Sequence, residues 1–212
     1  MKNTILLVNA GHGGMDDKGN NMTNKLDGKQ TLHMNGKTYH FGSWFYEGVF
    51  NRDIANEFII EAQKMGYNTL AVYDQVKDTK RIERITFGNK SVIGMPALWI
   101  SFHANAAGSI TGPQTYAEGV SVFVYKLGTE TAKNADVICK AVQSVFDRWG
   151  SKRRAQLVHS NALDETTYTS MPAMLFEIGF FDNSANADLL INPKFRKEVI
   201  QAMLSEIDKL YK

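Results

Sequence analysis

Three ionisable residues in this sequence each follow a short apolar run. His12 comes after Ile5-Leu6-Leu7-Val8 and an Asn9-Ala10-Gly11 turn. His103 follows Leu98-Trp99-Ile100-Ser101-Phe102, and Glu177 follows Met174-Leu175-Phe176. If these runs are parallel strands of one sheet, all three residues emerge at its carboxyl edge, where open α/β sheets bind ligands. Two imidazoles with carboxylates suit zinc, which accepts nitrogen and oxygen donors and in catalytic sites takes three protein ligands plus water. Glu47, at the start of a helical pattern, is a candidate third ligand, because a helix N-terminus favours a carboxylate. Asp16, Asp17 and Asp53 are alternatives. With Glu47 the site keeps a net charge of about +1, which favours acidified water. Glu177 is then free to act as general base and later as proton donor. A single His after a strand is more often a structural residue; the convergence of the set makes it a candidate.

The elements that must position these groups alternate along the chain. Strand-like runs cover Ile5 to Val8, Thr69 to Tyr73, Ala97 to Phe102, Gly119 to Tyr125 and Ala173 to Phe176. Helical spacing covers about Gly48 to Met65, where Ile54, Phe58, Ile59, Ala62 and Met65 recur and Gly66 follows as a helix-ending glycine. Further helices are expected from about Thr79 to Val92, Glu130 to Trp149 and Lys194 to Tyr211. Strands separated by helices imply a layered α/β fold with a largely parallel sheet. The 34 residues between His12 and Glu47 are long for a strand-to-helix loop. Within them Asn35-Gly36 is a hairpin signal, pairing Leu32, His33 and Met34 with Tyr39, Thr38 and Lys37. That arrangement gives a packed face and a solvated one; a second metal site at His33 and His40 is the lesser alternative. Tyr39, Phe41, Trp44, Phe45, Tyr46 and Phe50 form an aromatic-rich stretch, read as packing under the insertion ahead of sugar stacking.

Composition narrows the class. The chain has 212 residues, 43% hydrophobic and 22% charged, which fits an ordinary globular domain. With 24 Lys plus Arg against 22 Asp plus Glu, the net charge is +2, and no nucleic-acid partner is expected. The lone Cys139 cannot form a disulfide within the chain and is expected to pack as a small apolar residue. No apolar stretch reaches the roughly 20 residues that span a bilayer. The apolar run after Met1-Lys2-Asn3-Thr4 is too short for a signal peptide and is read as a strand.

The residues also match a known pattern. Asn9-Ala10-Gly11-His12-Gly13-Gly14 resembles the Pro-Gly-His-Gly-Gly motif of the zinc-dependent N-acetylmuramoyl-L-alanine amidases, the amidase-3 family of peptidoglycan hydrolases. Glu47 to Ala55 is similar to that family's Glu-x-x-x-Asn-x-x-x-Ala helix start, and Arg84 to Asn89 to its Arg-x-x-x-Ala-Asn segment. Ser101-Phe102-His103-Ala104-Asn105 resembles Ser-x-His-Ala-Asn, and Pro172 to Phe180 resembles Pro-Ala-x-Leu-x-Glu-x-Gly-Phe, with Asn183 in its usual place. The blocks occur in the family's order and cover nearly the whole chain.

The resemblance implies a single α/β catalytic domain, here over residues 1–212, with a central twisted sheet of about six strands; with the alternation of strands and helices this reads as three layers, a mostly parallel sheet flanked by helices. The span at about 15–46, with its β-hairpin, is longer than the family's usual loop and reads as an insertion that could cover or extend the cleft. His12, Glu47 and His103 match the family's zinc ligands, and Glu177 its catalytic glutamate, which decides for Glu47 over the aspartates. One zinc ion is the expected cofactor and peptidoglycan the partner, cut at the amide between N-acetylmuramic acid and L-alanine. Asn105 is a candidate for orienting His103 or facing substrate, or else a turn residue; Arg84 is a candidate substrate contact but a better brace through an ion pair. Arg153 and Arg154 read as a solvated loop, and His159 as a non-ligand. The sequence departs from the pattern where Asn9-Ala10 replaces the usual Asp-Pro and where Gly88 replaces Ala. The expected setting is a monomer made in the cytoplasm without a signal peptide and acting at the cell wall, as a phage endolysin released by a holin does; a bacterial enzyme is the alternative. A zinc peptidase or deacylase, or an inactive wall-binding module, are the rival functions.

Overall fold

A computed structural model of the protein describes residues 2–18, 36–39, 43–108, 115–151 and 155–211. The apolar runs become strands. β1 (Ile5–Ala10) is followed by a hairpin of β2 (Gly36–Tyr39) and β3 (Ser43–Tyr46). Then come β4 (Asn68–Ala71), β5 (Ala97–Asn105), β6 (Val120–Val124), β7 (Gln156–His159) and β8 (Ala173–Phe180). Six of these strands form one sheet in the order β4-β1-β5-β8-β6-β7. Every pairing is parallel except β6 with β8. The central strands read as continuous apolar runs because helices cover both faces of the sheet. Leu6, Leu7, Val8, Leu98, Trp99 and Ile100 are all fully buried.

On one face lie α1 (Glu47–Lys64), α3 (Glu130–Arg148) and α6 (Pro193–Leu210). Their Phe58, Phe146 and Phe195 pack with Leu6, Val8, Leu98, Ile100 and Phe102. On the other face α2 (Arg81–Ser91) sets Ile85 against Leu7 and Trp99, with the short α4 (Asp164–Thr167) beside it and against β8. α5 (Ser184–Ile191) packs on β8 and α6. The helix ends follow local chemistry. Gly66 takes φ +87° just past α1, a left-handed turn that favours glycine. The Thr129 side chain accepts from the Ala132 N–H at the start of α3, and Asn183 caps α5 in the same way. Among the described residues no helix is long and apolar enough to cross a membrane.

The mixed α/β fold with a six-stranded, mostly parallel sheet is as expected, and four differences are informative. β5 and β8 run on past Phe102 and Phe176, so His103 and Glu177 lie inside strands rather than after them. β7 sits at the sheet edge with no fully buried residue, and a four-residue half-exposed strand leaves little periodic signal. α4 and α5 are helices of four and eight residues, too short to show a clear helical period. In the insertion Gly36–Tyr39 is a strand, but its partner among the described residues is Ser43–Tyr46, with Tyr39 opposite Ser43. The expected partners Leu32, His33 and Met34, the His33–His40 alternative, Phe41, and the loop residues Arg153 and Arg154 lie outside the described residues.

Two small residues show how tightly the layers meet. Cys139 is buried, and burial pushes its thiol up to about 12, so it behaves as an apolar filler. At Gly88 in α2 an added Cβ would lie 2.6 Å from the Trp99 ring and 2.9 Å from Leu7 Cδ2. The bulk of Trp99 occupies the space an alanine would need. Alanine in a helix interior gains about 1 kcal/mol over glycine, while overpacking a tight core costs about 1–3 kcal/mol. Gly88→Ala is therefore expected to lower stability in urea unfolding by about 1 kcal/mol, against the helix propensity.

Candidate active site

β1, β5 and β8 are adjacent and parallel, so their carboxyl ends stand side by side. Ser101 pairs with Asn9, and His103 pairs with Glu177 across the β5–β8 ladder. His12 follows β1 after the Gly11 turn, and Glu47 is the first residue of α1, entered directly from β3. That hairpin strand is anchored by Phe45, which stacks on Phe181 at 5.6 Å between ring centroids and meets Phe50 at 5.7 Å. Both Phe45 and Phe50 are buried, so these two members of the aromatic stretch pack together and steady the start of α1.

The three donors converge. Atoms of His12, Glu47 and His103 that can hold a metal ion all lie within 4.8 Å of one another. His12 Nε2 is 3.3 Å from one Glu47 oxygen, and His103 Nδ1 is 3.0 Å from the other. The two imidazole rings meet edge to face, 5.4 Å apart. Among the described residues Asp16, Asp17 and Asp53 stand outside this cluster. Two imidazoles and one carboxylate are a donor set that fits a zinc-like ion.

One arginine holds the first candidate ligand in a strained backbone conformation. His12 has φ +61°, the only positive φ at a non-glycine position among the described residues. Such a conformation costs about 1–3 kcal/mol and persists only where surroundings enforce it. Arg52 supplies the enforcement. Its guanidinium donates to the carbonyls of Gly11, His12, Gly48, Asp74 and Lys77. The side chain is buried, and that burial lowers its pKa to about 10. Asn51 adds a bond to the Gly11 carbonyl and reaches Glu47 Oε1 at 3.4 Å.

Charge is concentrated behind His103. Glu47 accepts from the Ala104 N–H at 3.3 Å. Burial works to raise its pKa, but the two imidazoles and that N–H outweigh it and hold the carboxyl below its usual range. Burial lowers the pKa of His12. Burial opposes charge on His103 too, yet the Glu165 and Glu47 carboxylates outweigh it and raise its pKa well above that of ordinary imidazole. Glu165 on α4 is the functional neighbour that sequence reasoning missed. Its carboxylate pairs with Arg84 at 2.9 Å and lies 3.5 Å from His103 Nε2. Burial would raise its pKa, but His103, Arg84 and Asn9 together bring it down to about 2. The only hint in the sequence was the need of a buried Arg84 for some acidic partner.

Glu177 is different. Its Oε2 is shielded from solvent and has no hydrogen-bond partner among the described residues. Burial pushes its carboxyl up to about 7, with Glu47 and Glu165 adding to the rise and His103 opposing it. A carboxyl that titrates near neutrality can both take and give a proton. Asn105 uses its Oδ1 to accept from the Ala106 N–H, closing the turn after β5. Arg84 is spent on Glu165, Asn9 and the Thr79 carbonyl. His159 ends β7, on the sheet edge away from the three central strands.

The family model for N-acetylmuramoyl-L-alanine amidases matches residues 6–209. The chain belongs to that family. A curated relative, the Bacillus subtilis (strain 168) protein YqiI, described as uncharacterised, is 22% identical over 97% of this chain and 84% of its own. Among solved structures, an N-acetylmuramoyl-L-alanine amidase from Clostridium difficile 630 is 19% identical with a TM-score of 0.72, covering 99% of this chain and 97% of that one. The catalytic domain of CwlV, an N-acetylmuramoyl-L-alanine amidase from Paenibacillus polymyxa var. colistinus, is 18% identical with a TM-score of 0.71, covering 97% of each chain. The amidase fold is thus shared along nearly the full length.

Gly11 provides a direct check on the amidase cradle. A Cβ at Gly11 would lie 2.0 Å from His103 Cε1 and 2.4 Å from Nε2. Only glycine lets the β1 turn pass the ring. Gly11→Ala is expected to weaken divalent-metal uptake at least about tenfold, the lower bound when ligand orientation alone is disturbed. Competition with a chromophoric chelator reads this, with thermal unfolding as the control for the fold.

Proposed function

We propose that this amidase is a one-zinc hydrolase of the amide between the lactyl group of N-acetylmuramic acid and the L-alanine of the stem peptide. His12, Glu47 and His103 are its ligands and Glu177 its general base and acid. The observation that carries this reading is a three-donor cluster within 4.8 Å, set beside a shielded, unbonded carboxylate oxygen on the neighbouring strand. When bound, zinc supplies Lewis acidity, polarising a carbonyl and acidifying water.

The chain's own residues do the rest. Glu177 takes the proton of the attacking water as the amide carbon becomes tetrahedral. It then hands that proton to the departing alanine nitrogen, since an amide nitrogen leaves poorly unless protonated. Burial pushes its carboxyl up to about 7, which suits a group that must take a proton and later give it back. Glu47 keeps a full negative charge, because two imidazoles and the Ala104 N–H hold its pKa down. Arg52 keeps the His12 turn in place through the cycle, because five carbonyls share its guanidinium. Asn105 and Arg84 remain on the edge of this machinery: the Asn105 side chain serves its turn, and Arg84 braces Glu165. The lytic role at the cell wall is part of the same reading.

The test is digestion of purified peptidoglycan, with and without a zinc chelator. The expected products are new N-terminal alanines with no new reducing sugar ends, lost on chelation and restored by zinc. New amines on another residue would make this a wall peptidase. Glu177→Gln is expected to keep zinc and lose at least about a hundredfold in turnover, the lower end for general acid–base catalysis. Full activity in that variant would remove Glu177 from the mechanism. Clearing of a bacterial suspension by added wild-type protein, and not by Glu177→Gln, tests the lytic role.

A further inference from the structure

Glu165 is a buried carboxylate on a four-residue helix, and the proposed chemistry does not use it directly. Its two oxygens face different partners. Oε1 accepts from Arg84 Nη1 at 2.9 Å and from Asn9 Nδ2 at 3.0 Å. Oε2 faces His103 Nε2 at 3.5 Å. His103 is thereby bracketed, with Glu165 on one nitrogen and Glu47 3.0 Å from the other.

We propose that Glu165 is a positioning residue: by accepting the Nε2 proton of His103 it fixes the tautomer and the ring plane, leaving the Nδ1 lone pair turned to the metal cradle. This rests on the zinc reading above. An imidazole ligand needs one nitrogen free of its proton, and the hydrogen bond made by the other nitrogen decides which one that is. The 3.5 Å contact is long for a hydrogen bond, and such contacts in catalytic sites are often loose before the site is loaded. A simple structural ion pair with Arg84 would need only one oxygen of Glu165. The second oxygen lies 3.5 Å from His103 Nε2, a buried nitrogen with no hydrogen-bond partner among the described residues.

The surroundings are built for this carboxylate. Arg84 and Glu165 side chains are each about 4% exposed, so neither charge is satisfied by water. Removing one partner of such a pair leaves the other buried and unpaired. Asn9 uses both ends of its amide, accepting from Arg84 at Oδ1 and donating through Nδ2 to Ser101 Oγ and Glu165 Oε1. An aspartate at position 9 would have no hydrogen to donate and would set a second negative charge against Glu165.

The experiment compares wild type, Glu165→Gln, and the double variant Arg84→Met with Glu165→Gln. The double variant removes both buried charges and guards against a misfolded single variant. Three quantities are read: the zinc dissociation constant by chelator competition, thermal unfolding of the metal-free protein, and His103 imidazole tautomer by nitrogen-15 NMR. Zinc dissociation constants are expected to rise about 10–100-fold in the variants, with His103 no longer held in a single tautomer. On a soluble muramyl peptide, kcat is expected to fall with KM little changed. Zinc affinity and tautomer equal to wild type in the folded variants, with only a lower unfolding temperature, would make Glu165 a fold brace and overturn the proposal alone. A wild-type protein that takes up no zinc would overturn the metal reading and this proposal with it.

Discussion

The site depends on one constraint: β1, β5 and β8 run parallel and adjacent, so their carboxyl ends meet. Parallel neighbours require crossover connections, and α1 and α2 supply them between β1, β4 and β5. Helices on both faces keep the three strands apolar until their ends, where Asn9, Ser101, His103 and Glu177 replace the apolar pattern. The sheet delivers these polar groups to one line, and the loops and helix starts add His12 and Glu47. The ligands are therefore held by rigid elements, apart from the His12 turn, which Arg52 clamps.

Around that line the protein gathers negative charge. Glu47, Glu165 and Glu177 all approach His103, and each is treated differently by its surroundings. Glu47 has two imidazoles and a backbone N–H, so it stays ionised. Glu165 has Arg84, Asn9 and His103, which bring it down to about 2 against burial. Glu177 has burial and two like charges against it, and is pushed up to about 7. Carboxylates driven apart in this way are suited to different roles, an ionised one to hold a cation and a raised one to move a proton. The buried Arg84–Glu165 pair is itself weak evidence for stability, since desolvation offsets most of its attraction.

The insertion has its own physical logic. β2 and β3 form a small sheet separate from the main one, and Phe45 of β3 stacks on Phe181, one residue past β8. That contact ties the entry of α1, and so Glu47, to the strand that carries Glu177. Phe45, packed against Phe181 and Phe50, fixes the start of α1 through apolar contact. The stretch reads in sequence as an aromatic cluster, and packing is what its described members Phe45 and Phe50 do.

Much of this was legible in the sequence by itself. The central strands and the longer helices follow from apolar periodicity and helix-end chemistry, which are local signals; His12, His103 and Glu177 stand out by following apolar runs, while the choice of Glu47 rests on the resemblance to the amidase family. Gly66 marks the end of α1 for the same reason. The tertiary structure alone decided that β5 and β8 extend through the site, that β6 turns antiparallel, and that Gly36–Tyr39 takes Ser43–Tyr46 as its partner. It also decided that α4 brings Glu165 to His103, Arg84 and Asn9. Asn9 and Glu165 are 156 residues apart, and α4 is too short to show a period. A buried charge finds its partner through the packing of distant elements, and no local pattern of residues records which partner that is.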